Sequence, residues 1–267
     1  MLRRGSCVRF FLWSDRARRD SLVSRVRIAR GVVVDSALWA LWQLRSLLPL
    51  PVPRQWRTGD DTVVLIPGLA TNWRFMWQLG DVLAHAGFRV EVLPQLGRMT
   101  ADVSDLATEV TRALRASGRE RPVVLVTHSK GGLVAKRVLL RDPECELVAG
   151  AITLSAPFQG AVAAKLVRGE FRSLRNVVML RPGTPSTLEL AGRSEANSRI
   201  ATVSPLIDEI VGKRGPLPGA RNIAVSVIGH NRLLAMPRVQ QLVVREARRL
   251  MRPDRSADTN APGSSGR

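Results

Sequence analysis

Ser129 stands in the stretch Pro122–Lys136, PVVLVTHSKGGLVAK, where residue types and spacing could do nucleophilic chemistry. Val123, Val124, Leu125 and Val126 form an unbroken apolar run, as expected of a strand buried on both faces of a parallel sheet. The run leads into Thr127-His128-Ser129-Lys130-Gly131-Gly132, after which a helical pattern begins. A serine at such a strand tip, with glycine two residues later, predicts a strand–turn–helix elbow that lifts the hydroxyl above the sheet. Glycines are needed there because the turn brings strand and helix backbones close together.

A serine hydroxyl is a weak nucleophile until a base takes its proton. For an elbow serine the acid and then the histidine follow in chain order. The chain offers His85, His128 and His230. His85 falls in an early helix and His128 precedes the serine. His230, in VSVIGHNRLL, follows the last apolar strand and so belongs to a loop at the carboxyl edge of the sheet, where ligands and catalytic groups gather. No carboxylate occurs in Ser155–Gly160 after the strand Val148–Leu154. Ser204-Pro-Leu-Ile-Asp208-Glu209 supplies the acid, with Asp208 the first choice and Glu209 the reserve. A helix-capping role would suit either carboxylate equally well. An oxyanion site needs two preorganised N–H donors. Lys130 can give one from its backbone, and Leu69, in Ile66-Pro-Gly-Leu-Ala70 after an early strand, the other.

The elements that must carry these residues alternate. Strands are predicted at Thr62–Ile66, Phe88–Leu93, Val148–Leu154, Arg199–Val203 and Asn222–Ile228, besides the elbow strand. Helices are predicted at Asn72–Ala86, Ala101–Ser117, about 130–141 and Met236–Met251. This alternation predicts an α/β fold with a mostly parallel central sheet and helices on both faces. Residues of about 158–197 break the rhythm and are expected to form a small cap insertion. The domain is placed at 60–251, and the polar, glycine-rich residues 252–267 are expected to be a disordered tail.

Residues 1–55 read as a basic, partly helical leader. Arginines from Arg3 to Arg30 precede an apolar stretch, Gly31 to Leu50, which contains Trp39 and Trp42 and is interrupted by Asp35, Gln43 and Arg45. Two placements fit it equally: a helix lying on a membrane surface, or one packed on the domain. Pro51-Val-Pro53 marks the boundary. The net charge of +19 is carried almost wholly by arginine, and no tyrosine is present. Without interleaved aromatics or a reading motif, a nucleic-acid partner is not expected. Cys7 and Cys145 lie in very different contexts, so neither a disulfide between them nor a metal site is expected.

With these residues in view the chain resembles the α/β-hydrolases of the bacterial lipase/esterase type. The resemblance covers about residues 60–250 and includes Gly219-Ala-Arg-Asn222 followed by Gly229-His230. Two positions depart from the pattern: Pro67-Gly68 stands where the oxyanion loop usually begins His-Gly, and Thr127 where the elbow usually has glycine. The resemblance implies acyl transfer by a Ser129–His230–Asp208 triad, with no metal or organic cofactor. It implies a small-molecule ester or lipid substrate, with Leu69, Trp73, Phe75 and Met76 either around an apolar acyl chain or simply in the core. A cytoplasmic protein is the expected setting, with peripheral membrane association through the leader in the first of its two placements. Acyl transfer to an alcohol, and a non-catalytic module binding anionic lipid or nucleic acid, are the rival readings.

Overall fold

The structure is a computed structural model and describes residues 7–167, 175–212 and 215–252. Six parallel strands form one sheet: β1 (Thr62–Ile66), β2 (Arg89–Val92), β3 (Val123–His128), β4 (Val148–Leu154), β5 (Ile200–Ile207) and β6 (Arg221–Ile228). Their order is β2-β1-β3-β4-β5-β6, and β3 lies between β1 and β4 with Thr127 opposite Ile66 and Thr153. The helices are α1 (Cys7–Leu47), α2 (Trp77–His85), α3 (Val103–Ala116), α4 (Lys130–Leu140), α5 (Arg175–Val178), α6 (Pro185–Gly192) and α7 (Pro237–Met251).

Alternation along the strands builds two cores from one sheet, because successive side chains point to opposite faces. Val64, Ile66, Val123 and Leu125 pack with α3 and α4 residues such as Val110 and Val134. Val63, Leu65, Val124 and Val126 pack on the other face with Leu79 and Leu83 of α2 and Val243 of α7. Both faces are covered, which is why β1 and β3 read as unbroken apolar runs.

Two elements differ from the sequence expectation. The helix expected at Asn72–Ala86 begins as a tighter 3-10 turn, Trp73–Met76, capped by Asn72 accepting from Arg74 N at 3.0 Å. Strand β5 runs four residues past Val203 to Ile207, through Pro205, since β6 continues beside it on the edge of the sheet. Past Val203 β4 no longer pairs with β5, and the β5–β6 register shifts at Pro205, the one-sided or bulged setting in which proline is tolerated.

From Gly31 onward α1 lies against the domain. Trp42 is buried edge-on to Phe75 with ring centroids 5.3 Å apart. Asn72 Nδ2 donates to Ser46 O at 2.8 Å, and a side chain at Gly31 would run into Ile228. Of the region read as a cap, α6 is tied to α4 by Arg137 and Glu189, while residues 168–174 fall outside the described residues. The expected tail also lies outside them from residue 253.

Candidate active site

The elbow has the backbone its sequence demands. β3 ends at His128, α4 begins at Lys130, and Ser129 between them has φ 51° and ψ −122°. A non-glycine residue held there is strained, costing on the order of 1–3 kcal/mol, and such strain persists only where its surroundings enforce it. They do here. A Cβ at Gly131 would overlap the carbonyl oxygens of Ile66 and Pro67, and one at Gly132 would overlap the Ala156 side chain. Thr127 is accommodated where a glycine is usual: its side chain is buried and its hydroxyl donates to Ile152 O at 3.3 Å. Ser129 itself is half-buried rather than sealed.

Asp208 and His230 meet. Asp208 directly follows β5, and His230 follows β6 after Gly229, whose φ of 121° only glycine adopts readily. Asp208 Oδ1 and Oδ2 are each 3.0 Å from His230 Nδ1. A carboxylate can only accept, so Nδ1 carries the proton and Nε2 is left as the acceptor. Burial works to raise the Asp208 carboxyl, but its hydrogen bond to His230, the His230 charge and the Val211 and Ile210 N–H groups outweigh it and hold it below its ordinary value. Those two N–H groups donate to Oδ1 at 2.8 and 3.0 Å, fixing the carboxylate in a turn of its own making.

The main chain of His230 is held as firmly as its ring. Its carbonyl accepts from Ser155 Oγ at 2.9 Å and from His128 Nε2 at 3.3 Å, and its N–H donates to Glu209 Oε1 at 3.3 Å. Glu209, the reserve acid, therefore touches the histidine's backbone while Asp208 takes the ring. His128, the neighbour of Ser129 in the chain, has its ring centroid 4.9 Å from that of His230 and 5.9 Å from Phe75. Burial, and then His230, push the His128 imidazole down to about 3, so it is neutral.

The two expected oxyanion donors belong to different segments, Lys130 to the start of α4 and Leu69 to the loop after β1. Lys130 is the first residue of α4, and a helix's first N–H groups have no acceptor within the helix. Its side chain is buried and donates to Met99 O at 2.9 Å and Ala101 O at 2.6 Å; burial lowers the ammonium to about 8. Leu69 follows Gly68, where a Cβ would come within 3.1 Å of Ser129 Cβ, so the loop passes directly beside the serine.

Trp73, Phe75 and Met76 are core, packed with α2 and α7. Leu69 alone of the four candidate acyl-chain residues is partly exposed. A cavity of about 750 Å³ lies instead beside Asp208, between β5, β6 and the chain after β4, with Phe158, Leu206, Val211 and Leu217 on its walls. Sequence reading missed three residues of this centre: Asp35, Ser155 and the structural part of His128. A single carboxylate inside an otherwise apolar helical stretch was the one available signal.

Residues 63–260 match the sequence model of a family described as the alpha/beta hydrolase family. No curated protein matches the chain. Among solved structures, the chain is similar to lipase B of Aspergillus fumigatus, with 21% identity and a TM-score of 0.60 over 73% of this chain and 54% of that one. It thus spans about half the length of that lipase. It is also similar to the mature lipase BlEst2 of Bacillus licheniformis (17% identity, TM-score 0.51, 70% of this chain and 90% of that one). A monoacylglycerol lipase of Paleococcus ferrophilus is similar at 15% identity and a TM-score of 0.51, over 73% of this chain and 96% of that one. At these identities the likeness speaks for the fold.

Proposed function

The chain belongs to the alpha/beta hydrolase family, and from that premise we propose that it is a serine hydrolase of carboxylic esters with Ser129, His230 and Asp208 as its triad. The observation that carries this reading is the Asp208–His230 pair, bonded at 3.0 Å and placed against His128, the residue next to the strained Ser129. His230 Nε2 takes the Ser129 proton as Oγ attacks the ester carbonyl. Asp208 keeps the imidazole in the tautomer that can accept, and then stabilises its charged form. The backbone N–H groups of Leu69 and Lys130 receive the developing oxyanion. His230 passes its proton to the leaving alcohol, and a water activated by the same imidazole then releases the acid from the acyl-enzyme. No step calls for a metal or an organic cofactor.

The substrate is an ester with an apolar acyl group. The cavity beside Asp208 has the volume of an ordinary small-ligand site, and its apolar walls suit a hydrocarbon chain. The lipase names of the structural neighbours agree with that chemistry. Purified protein should hydrolyse p-nitrophenyl esters, and Ser129→Ala should abolish that activity while leaving the circular-dichroism spectrum unchanged. Undiminished turnover in the variant would remove Ser129 from the mechanism.

The leader supplies a second element of this reading. Val33, Ala37, Leu41 and Leu44 recur at three- and four-residue intervals along α1 and are all exposed, on the side of the helix away from Asp35 and Trp42. Arg25, Arg27 and Arg30 are exposed on the same helix. Among the described residues no helix is long and apolar enough to cross a membrane. An apolar face beside arginines suits the surface of an anionic bilayer. Leu41→Ser/Leu44→Ser should weaken sedimentation with phosphatidylglycerol vesicles. Sedimentation equal to that of the unsubstituted protein would end this part of the reading.

A further inference from the structure

Asp35 is the leader residue that reaches deepest into the domain, and it reaches the histidine loop. It is 1% exposed. Its Oδ1 accepts from Asn231 N at 2.8 Å and Arg232 N at 2.6 Å, and its Oδ2 accepts from Asn231 Nδ2 at 2.7 Å. Gly229 passes so close that a Cβ there would overlap the carboxylate. One carboxylate on α1 therefore binds the two residues after His230 and packs against the one before it. Among the described residues no lysine or arginine forms an ion pair with Asp35. A buried carboxylate without a cation is expensive, and an apolar side chain would fasten the helix at less cost. What an apolar residue cannot do is fix the direction of three N–H bonds.

Glu209 stands against Asp35 and completes the grip. Its Oε1 accepts from His230 N, whereas among the described residues no donor reaches its buried Oε2. Burial first, and then the hydrogen bond with Asp35, push the Glu209 carboxyl up to about 7.

We propose that Asp35 is a positioning residue for the reaction: from the leader helix it holds the Gly229–Arg232 turn so that the His230 ring faces Asp208 and Ser129 together. The leader is then part of the active site rather than an appendage to it. This rests on the Ser129–His230–Asp208 reading above.

The test compares Asp35→Asn, Asn231→Asp and the double swap Asp35→Asn/Asn231→Asp in the full chain. In Asp35→Asn, with the amide oxygen kept on the Asn231 and Arg232 N–H groups, the amide nitrogen meets Asn231 Nδ2 donor to donor, and the Asn231 side chain must turn over or move away. The double swap restores one donor and one acceptor across the same gap. Displacing a catalytic group by about an ångström costs on the order of 10² in rate. Asp35→Asn is therefore expected to lower kcat by about 10- to 100-fold with KM nearly unchanged. The swap should recover kcat to within about threefold of the unsubstituted enzyme. Histidine ring NMR signals assigned to His230 should move in Asp35→Asn and return in the swap. Thermal melts accompany every variant, and Asn231→Ala, which removes only the side-chain bond, serves if Asp35→Asn fails to fold; its kcat should fall and its His230 signals move in the same sense. A folded Asp35→Asn or Asn231→Ala with full kcat and unmoved His230 signals would overturn the proposal, as would a folded swap that recovers neither. If the unsubstituted protein hydrolyses no ester, the esterase reading is what fails. The His230 signals then decide the positioning role by themselves.

Discussion

Replacing Asp208 with asparagine changes the proton on His230 without changing the shape of the site. The amide oxygen of the Asp208→Asn side chain can still accept from Ile210 N and Val211 N, so the turn survives. Its amide nitrogen, however, would face His230 Nδ1 where Oδ2 now lies at 3.0 Å. The amide oxygen, at the Oδ1 position, also lies 3.0 Å from Nδ1, so the two amide atoms compete for it and the tautomer with its proton on Nε2, the atom that should accept from Ser129, gains population. The charge is lost as well. The two side chains are 5% and 7% exposed, and opposite charges about 4 Å apart at an effective dielectric of about 20 attract by about 4 kcal/mol. That is a factor of about 10³ in rate. The wrong tautomer carries the loss toward about 10⁴, the size seen for the same change in a serine protease triad. Stopped-assay kinetics on a p-nitrophenyl ester should show that loss in kcat, with KM retained and the melting temperature little altered. A folded Asp208→Asn that loses less than about tenfold would mean that Asp208 is not the acid.

Glu209→Gln should behave quite differently from Asp208→Asn, losing less than about tenfold in kcat, because its amide still reaches both Asp35 and the His230 N–H. The same variant should reveal a pH effect. Glu209 titrates higher in the folded state (about 7) than its ordinary 4.5, so the folded chain holds the extra proton and stability is lost as pH rises through that window. The melting temperature of Glu209→Gln relative to the unsubstituted protein should therefore rise from about pH 4.5 to about pH 7, and a flat difference would contradict this. His128 works in the opposite sense: burial takes it from 6.5 to about 3, so the stability it gives is present above pH 6.5 and lost as pH falls toward 3. Trp42→Ala, which empties the contact of α1 with Phe75, should cost about 3 kcal/mol in urea unfolding. Gly131→Ala should cost about 1–3 kcal/mol or more and reduce activity, since its Cβ meets backbone oxygens that cannot move cheaply.

Much of this architecture is legible in the chain because each signal is local. Apolar runs bounded by polar or glycine residues mark β1, β3 and β4 nearly to the residue, and the elbow announces itself through Ser129, Gly131 and Gly132. Chain order then points to Asp208 and His230, and the structure brings those two together. What was hidden depends on contacts across the chain. Asp35 and Asn231 are 196 residues apart, so no window of sequence joins them, and the carboxylate reads only as a flaw in an apolar stretch. The placement of the leader was open for the same reason: α1 presents apolar residues on two sides, and only packing shows that Trp42 faces inward while Leu41 and Leu44 face out. Trp73, Phe75 and Met76 could have lined a substrate site by type, yet a sheet face had to be covered and they cover it.

Covalent labelling with a fluorophosphonate, followed by peptide mapping, tests the central claim most directly. An activated serine should form one phosphonyl adduct, at Ser129, with the label absent from Ser129→Ala and greatly slowed in His230→Ala. No adduct on the folded protein, or an adduct at another residue while Ser129→Ala still turns over ester, would contradict the account.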